Sequence, residues 1–292
     1  MEEVSRNGAD RPERSDGESL AAKAILARLE ALAPYCARNA HAEDIEPGSP
    51  LAWLDERFAS THSVSGLLKQ SLAAAMDNTR ALRGLLFREE PAAAFSYRQY
   101  THAPYSLVRT IIECATTVLW ALLPDDGPER IRRSLVLIAR EVFNAASFWD
   151  AYLEEFDPGR YARAVAYFDG LRRTVNDSAQ AMALPPVFSR KADGKWGYAT
   201  KNRTQTAILK ELRVAGDVPP ELIYVWQFCS GYSHGLEWAA GNGNAGLFGE
   251  VAGEQAAAGS MEQLRRVCDV AFDLVPRAWA IYDLRRRVWP LL

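Results

Sequence analysis

Apolar residues recur at three- and four-residue intervals through most of the chain, the spacing that lines one face of an α-helix. The run SLAAKAILARLEALAP carries Leu20, Ile25, Leu26, Leu29 and Leu32 in that spacing and is stopped at Pro34. A Pro/Gly/Asp-rich stretch at 43–50 reads as a loop, and WLDERF as a short helix. A long helix follows from about 63 to 88, with Leu67, Leu68, Leu72, Met76, Leu82, Leu85 and Leu86 on its apolar side. Asp126-Gly127-Pro128-Glu129 supplies a cap, a first-turn proline and an early acid for a helix running to about 156. Asp157-Pro158-Gly159 breaks it, and the next helix extends to about 183. Residues 185–203 read as one long irregular connection. Helices at about 204–213, 219–234 and 260–288, with a glycine-rich stretch at 241–253, complete the pattern. Alternating apolar residues bounded by turns hardly occur, which predicts strand content under about 10%.

The segment HAPYSLVRTIIECATTVLWALLP stands apart. Thr101 is placed to cap it, Pro104 lies in its first turn and Pro124 ends it; between 105 and 123 only Arg109 and Glu113 are charged. Its length invites a membrane span, but two central charges and four serine or threonine residues argue against one. A helix apolar on all sides in a globular chain is a buried central helix. The expected fold is all-α: a single helical bundle of about eight or nine helices over 18–292. The central helix spans about 103–123, and a disordered leader, rich in charge, Gly and Pro, occupies 1–17.

Composition narrows the function classes without choosing among them. A net charge of −3 over 292 residues gives no global drive toward nucleic acid or an anionic membrane. Cys36, Cys114, Cys229 and Cys268 form no CxxC pair, so neither a structural zinc site nor a redox motif is expected. So few cysteines fit a reducing cytoplasm, and the N-terminus lacks the apolar core of a signal peptide. No histidine has a Glu three residues before it, His-Glu-x-x-His is absent, and neither a metal nor a cofactor is expected. Gly241-x-Gly243-x-x-Gly246 matches a dinucleotide fingerprint by letter, but a helix precedes it where a strand is required, so a loop is the reading.

Three constellations carry candidate chemistry. Arg109 and Glu113 lie one turn apart on the central helix, with Thr116 and Trp120 continuing the stripe; buried charges must be paired, so a mutual ion pair or a polar pocket is expected. His234 ends the apolar helix ELIYVWQFCSGYSH just before Gly235, where the helix dipole favours an imidazolium, and is a natural third member. In RKADGKWGYATKNR, Lys191, Lys195 and Trp196 combine basic and aromatic groups suited to phosphate or base contact, and Arg130 and Arg133 are further candidates for anion or nucleic-acid contact. Arg57 and His62 also stand at the Arg-x4-His spacing of HEPN ribonucleases, with Phe58 where a polar residue is usual.

Together, MDNTRAL (76–82), YSLVRTIIECATTVLWALLPDDGPERIRR (105–133) and YSHGLEWA (232–239) resemble a family of uncharacterised, mostly helical proteins of high-GC bacteria, distantly similar to HEPN domains. The likeness spans roughly 60–290. It places Arg109, Glu113, Trp120, Pro124, Arg130, Arg133, His234, Gly235 and Trp238 at motif positions, and it implies a helical bundle. The expected function is a binding or interaction protein of the cytoplasm, in stress response or defence against mobile elements. Partners in that reading are a second copy, RNA or another anionic ligand, and no membrane. One alternative is a metal-independent, HEPN-like ribonuclease, in which His234 is the general acid or base and Arg109 or Arg130 holds phosphate. Another is a purely structural, dimerising bundle.

Overall fold

The computed structural model describes residues 16–58, 62–88, 95–199, 204–240 and 260–288. The leader lies almost wholly outside that range; Asp16 and Gly17, counted with it in the sequence, already belong to α1 (Asp16–Ala31). Pro34, which has no N–H to give the carbonyl four residues back, ends α1 as expected. It sits in the first turn of a separate short helix, α2 (Ala33–Cys36), where a missing N–H costs nothing.

The following helices begin where side-chain caps are available. Ser49 accepts from the Ala52 amide ahead of α3 (Pro50–Arg57), and Ser63 from the Gly66 amide ahead of α4 (Val64–Leu86). Asp126 and Asp157 cap α6 (Gly127–Phe156) and α7 (Pro158–Ala181). Thr204 opens α8 (Gln205–Val214) in the same way. These oxygens satisfy amides that have no partner within the helix. Thr101 does not cap the central helix, α5 (Ala103–Leu122); His102 occupies that position and makes no side-chain cap, and Pro104 supplies the first-turn preference instead.

α5 is the spine. It is flanked by α4, α8, α9 (Leu222–Ser233) and the C-terminal pair α11 (Met261–Phe272) and α12 (Leu274–Arg285), with a one-turn α10 (Glu237–Ala240) against α9. Every residue from Ala115 to Leu122 is buried. α5 is long and apolar enough to cross a membrane by length and composition, but 67% of its most apolar window is buried inside the protein. α1 packs along α11, bringing Arg28 to Asp273 and Glu18 to the Met261 amide.

The structure departs from the expected elements in two places. The single helix expected at 260–288 is two. Pro276 clashes with the carbonyl four residues back, and the chain turns at Asp273. The expected irregular connection at 185–203 contains a hairpin of β1 (Phe188–Arg190) and β2 (Trp196–Tyr198), paired Phe188 to Tyr198 and Arg190 to Trp196. Gly194 takes the left-handed turn position, φ 78°, and Asn176 of α7 accepts from the Val187 and Phe188 amides. Three-residue strands are too short to show alternation. Among the described residues these six and an isolated Phe87–Tyr97 bridge are all the β structure, so the all-α class stands.

The C-terminus of α5 is closed by arginines. Arg130 donates to the Pro124 and Asp125 carbonyls, Arg133 to the Trp120 carbonyl, and Arg285 to those of Leu122, Leu123 and Pro124. Terminal carbonyls without intrahelical partners are thereby satisfied by cations at the favourable end of the helix dipole. At the same corner, the hydrogen bond from Arg132 pulls the Glu129 carboxyl down from its ordinary 4.5 to about 2; desolvation opposes this and Arg133 adds to it. A lowered carboxylate stabilises fully above its unfolded value and stops doing so as pH falls through about 2. Acid titration of unfolding should therefore show Glu129→Gln flattening the loss of stability between pH 4.5 and 2 by on the order of 1 kcal/mol, the discount reflecting partial exposure.

Candidate functional site

The charged stripe of α5 lies on the rim of the bundle, not in its centre. Ser106, Leu107, Arg109, Thr110, Glu113 and Cys114 are all half-buried, and the side chains of Arg109 and Glu113 are 26% and 31% exposed. Both side chains are thus mostly buried, as expected, but with an edge open to solvent. Small hydroxyls, a thiol and a leucine mask this half-open stripe in the sequence, so the helix reads as apolar all round.

The three expected residues do meet. Arg109 Nε donates to Glu113 Oε1 at 2.9 Å, and Arg109 Nη1 lies 3.3 Å from His234 Nε2, across 125 residues of sequence. A guanidinium donates only, so as a hydrogen bond this contact requires the His234 tautomer in which Nε2 accepts. Glu113 Oε1 also accepts from Trp226 Nε1 at 2.9 Å, and the Arg109 guanidinium stands 6.0 Å from the Trp226 ring centre. Nε and Nη1 of Arg109 are engaged, while Nη2 has no partner among the described residues.

Local backbone explains why His234 reaches α5. It follows the last turn of α9, and Gly235 at φ 65° reverses the chain into α10. A Cβ on Gly231 would stand 2.7 Å from both Ala239 Cβ and the Trp238 ring, so only glycine lets α10 fold back that tightly. Beneath this turn, Tyr232 stacks on Tyr105 at 4.1 Å, and both hydroxyls donate to Gln263 Oε1, at 3.2 and 2.8 Å. Burial holds the Tyr105 hydroxyl well above its usual pKa, so it remains a donor. The exposed His102 ring meets the edge of Tyr232 at 5.7 Å.

Trp226, Tyr105, Tyr232 and Gln263 were not foreseen as part of this arrangement. Trp226 was within reach, because eight residues separate it from His234 on one helix and put both on one face. Gln263 carries no such signal, since it comes from α11 and only the fold brings it in.

The other candidates go elsewhere. Thr116 accepts from Gln205, and Trp120 Nε1 donates to Glu211, so the lower stripe of α5 belongs to the α8 interface. The guanidiniums of Arg130 and Arg133 bond carbonyls at the end of α5, and Arg130 is buried, which removes the free cationic face that anion contact was expected to use. Lys191 and Lys195 are exposed on the hairpin, with the stem of Lys191 lying over Gly197. Trp196 is half-buried under Arg190, which is itself tied to Asp169. The polar and ring contacts of the hairpin run to α6 and α7 and do not reach Arg109 or His234. Arg57 stacks over Trp53 and shows no bond to His62. Lys201, Arg203 and the 241–246 glycines lie outside the described residues.

Two chemistries find no support at the rim. Among the described residues no group of three or more His, Cys, Asp or Glu side chains could hold a metal ion. Cys114, beside Glu113, is pushed up to about 11 by burial and then by that carboxylate, which leaves it a thiol at neutral pH and no nucleophile. No protein-family model, curated protein or solved structure matches the chain.

Proposed function

We propose that this chain is a cytoplasmic binding protein whose ligand presents an anionic group, a phosphate above all, to Arg109 and His234 at the α5–α9 rim. One observation carries the reading: a part-exposed guanidinium, held by Glu113 beside Trp226, faces the His234 imidazole, with one nitrogen left over among the described residues. The Glu113 carboxylate balances the charge of Arg109 without covering its outer edge. An entering anion would take Nη2 and Nη1, and His234 would turn its Nδ1–H or a newly gained proton toward it. The four cysteines, free and mostly buried, fit a reducing compartment.

A ribonuclease is the second reading, favoured by the same contact. A neutral His234 Nε2 beside a fixed guanidinium could take the proton of a ribose 2′-hydroxyl while Arg109 holds the phosphate. The resemblance to HEPN domains makes RNA the first polyanion to try.

Trp226 is a built-in reporter. Titration with inorganic phosphate, a nucleoside monophosphate and a short RNA should change its fluorescence saturably. Arg109→Ala and His234→Ala should each weaken binding about tenfold or more, with unchanged circular dichroism. Glu113→Ala should weaken it as well, and should cost about 1–2 kcal/mol of stability by stranding Trp226 Nε1. Incubation with RNA in the presence of chelator separates the two readings: cleavage lost in His234→Ala makes the rim an active site. Absence of any saturable response to all three probes removes both.

A further inference from the structure

The distal half of the α6–α7 hairpin has a different character from the rest of the fold. No residue between 144 and 170 belongs to the main core or packs against it; Val142 and Phe143 are the last to do so on α6, Leu171 and Val175 the first on α7. Within that stretch Ala146, Leu153 and Phe168 are buried, outside the main core. About 13 residues of α6 therefore stand roughly 20 Å beyond the main core.

That projection carries an exposed aromatic stripe. Phe148 is 61% exposed, Tyr152 45%, Phe156 65% and Tyr167 62%, with Trp149 at 38% beside them. Phe148 stacks with Tyr152, and Tyr152 meets Phe156, at four-residue spacing along α6. Helical phase puts Tyr167 of α7 on the same flank, level with Phe148. A free-standing pair of helices with so little buried between them is marginal in water. Five part-exposed rings leave on the order of 500 Å² of apolar surface, more than half of the about 800 Å² that each partner buries in a standard interface.

The charges identify the occupant. From Phe148 to Asp157 every charge is acidic: Asp150, Glu154, Glu155 and Asp157. From Pro158 to Phe168 every charge is basic: Arg160 and Arg163. Asp150 turns to the opposite flank, toward Arg172 and Lys195, so on α6 the aromatic flank carries Glu155, against Arg160 and Arg163 on α7. Acid on one helix and base on its neighbour make that face complementary to itself under a twofold rotation. We propose that this face binds a second copy of the chain, the two hairpins forming a four-helix bundle with α6 of one copy over α7 of the other. With the twofold axis along the hairpin, Glu155 comes level with Arg160 and Arg163 of the opposing copy, and the rings close the centre.

Light scattering of the full-length protein across a concentration series tests this directly. The wild type should run at twice the monomer mass. Phe148→Glu with Phe156→Glu should raise the dimer Kd by about a hundredfold or more, with helical circular dichroism unchanged because both rings face outward. Glu155→Arg alone should weaken the dimer, and adding Arg163→Glu should restore it. A wild type that stays monomeric at every concentration overturns the proposal and leaves the face to a different protein. A dimer indifferent to the phenylalanine and charge substitutions overturns it too, by placing the interface elsewhere.

Discussion

Trp120→Ala should lower the stability of the fold by about 3–5 kcal/mol, with a fall in Tm of roughly 6–20 °C. Trp120 is completely buried on α5, its indole N–H donates to Glu211 of α8 at 2.7 Å, and the Arg133 guanidinium stands 5.2 Å from its ring centre. Truncation thus opens a cavity beside the spine and strands a carboxylate interaction at once. Trp120→Phe keeps most of the ring and loses the N–H, so its cost should be about 1–2 kcal/mol. Urea unfolding followed by circular dichroism measures both. Equal midpoints for wild type and Trp120→Ala would show that α5 is not the centre of the bundle.

Gln263→Leu should have the next largest effect, about 2–5 kcal/mol, although leucine nearly matches glutamine in volume. Both tyrosine residues that donate to Gln263 Oε1 are buried, and losing a buried hydrogen bond of this kind costs about 1–3 kcal/mol. Removing those hydroxyls as well, with Tyr105→Phe and Tyr232→Phe in the Gln263→Leu background, should recover more than half of the loss. The triple variant also bears on the rim. Tyr232 lies two residues before His234, so phosphate affinity should fall in Gln263→Leu and return with stability. A triple variant no more stable than Gln263→Leu would mean that lost packing, rather than the hydroxyls, sets the cost.

Much of this architecture is legible in the sequence because its punctuation is local. Asp126, Pro128 and Glu129 announce α6, and Asp157-Pro158 announces the turn to α7, since caps and first-turn prolines act within three or four residues. The break between α11 and α12 was equally local, but Pro276 sits inside an unbroken apolar period that hides it. The hairpin was illegible because its register depends on Asn176, eleven and twelve residues upstream on another element. At the rim, charge on an apolar helix singled out Arg109 and Glu113, and the end of an apolar helix singled out His234. Their degree of burial was not readable, because exposure depends on which neighbours arrive and which side of α5 they leave open. Arg130 and Arg133 show the converse: arginines near a helix junction read as a cationic face until the carbonyls they serve are in view.

The pairing of α1 with α11 sets a timetable for biosynthesis. Arg28 and Asp273 are joined across 245 positions, and the apolar side of α1, Ala21, Ala22, Ile25 and Leu29, has its main partner on α11. At about 5–20 residues per second, α1 waits roughly 12–50 s after its own emergence before that partner has been made. During that interval an amphipathic helix of sixteen residues is held by little but its own weak propensity. From its emergence the α1 segment thus offers a hydrophobic strip to chaperones, and its packing completes only when α11 arrives to take that strip.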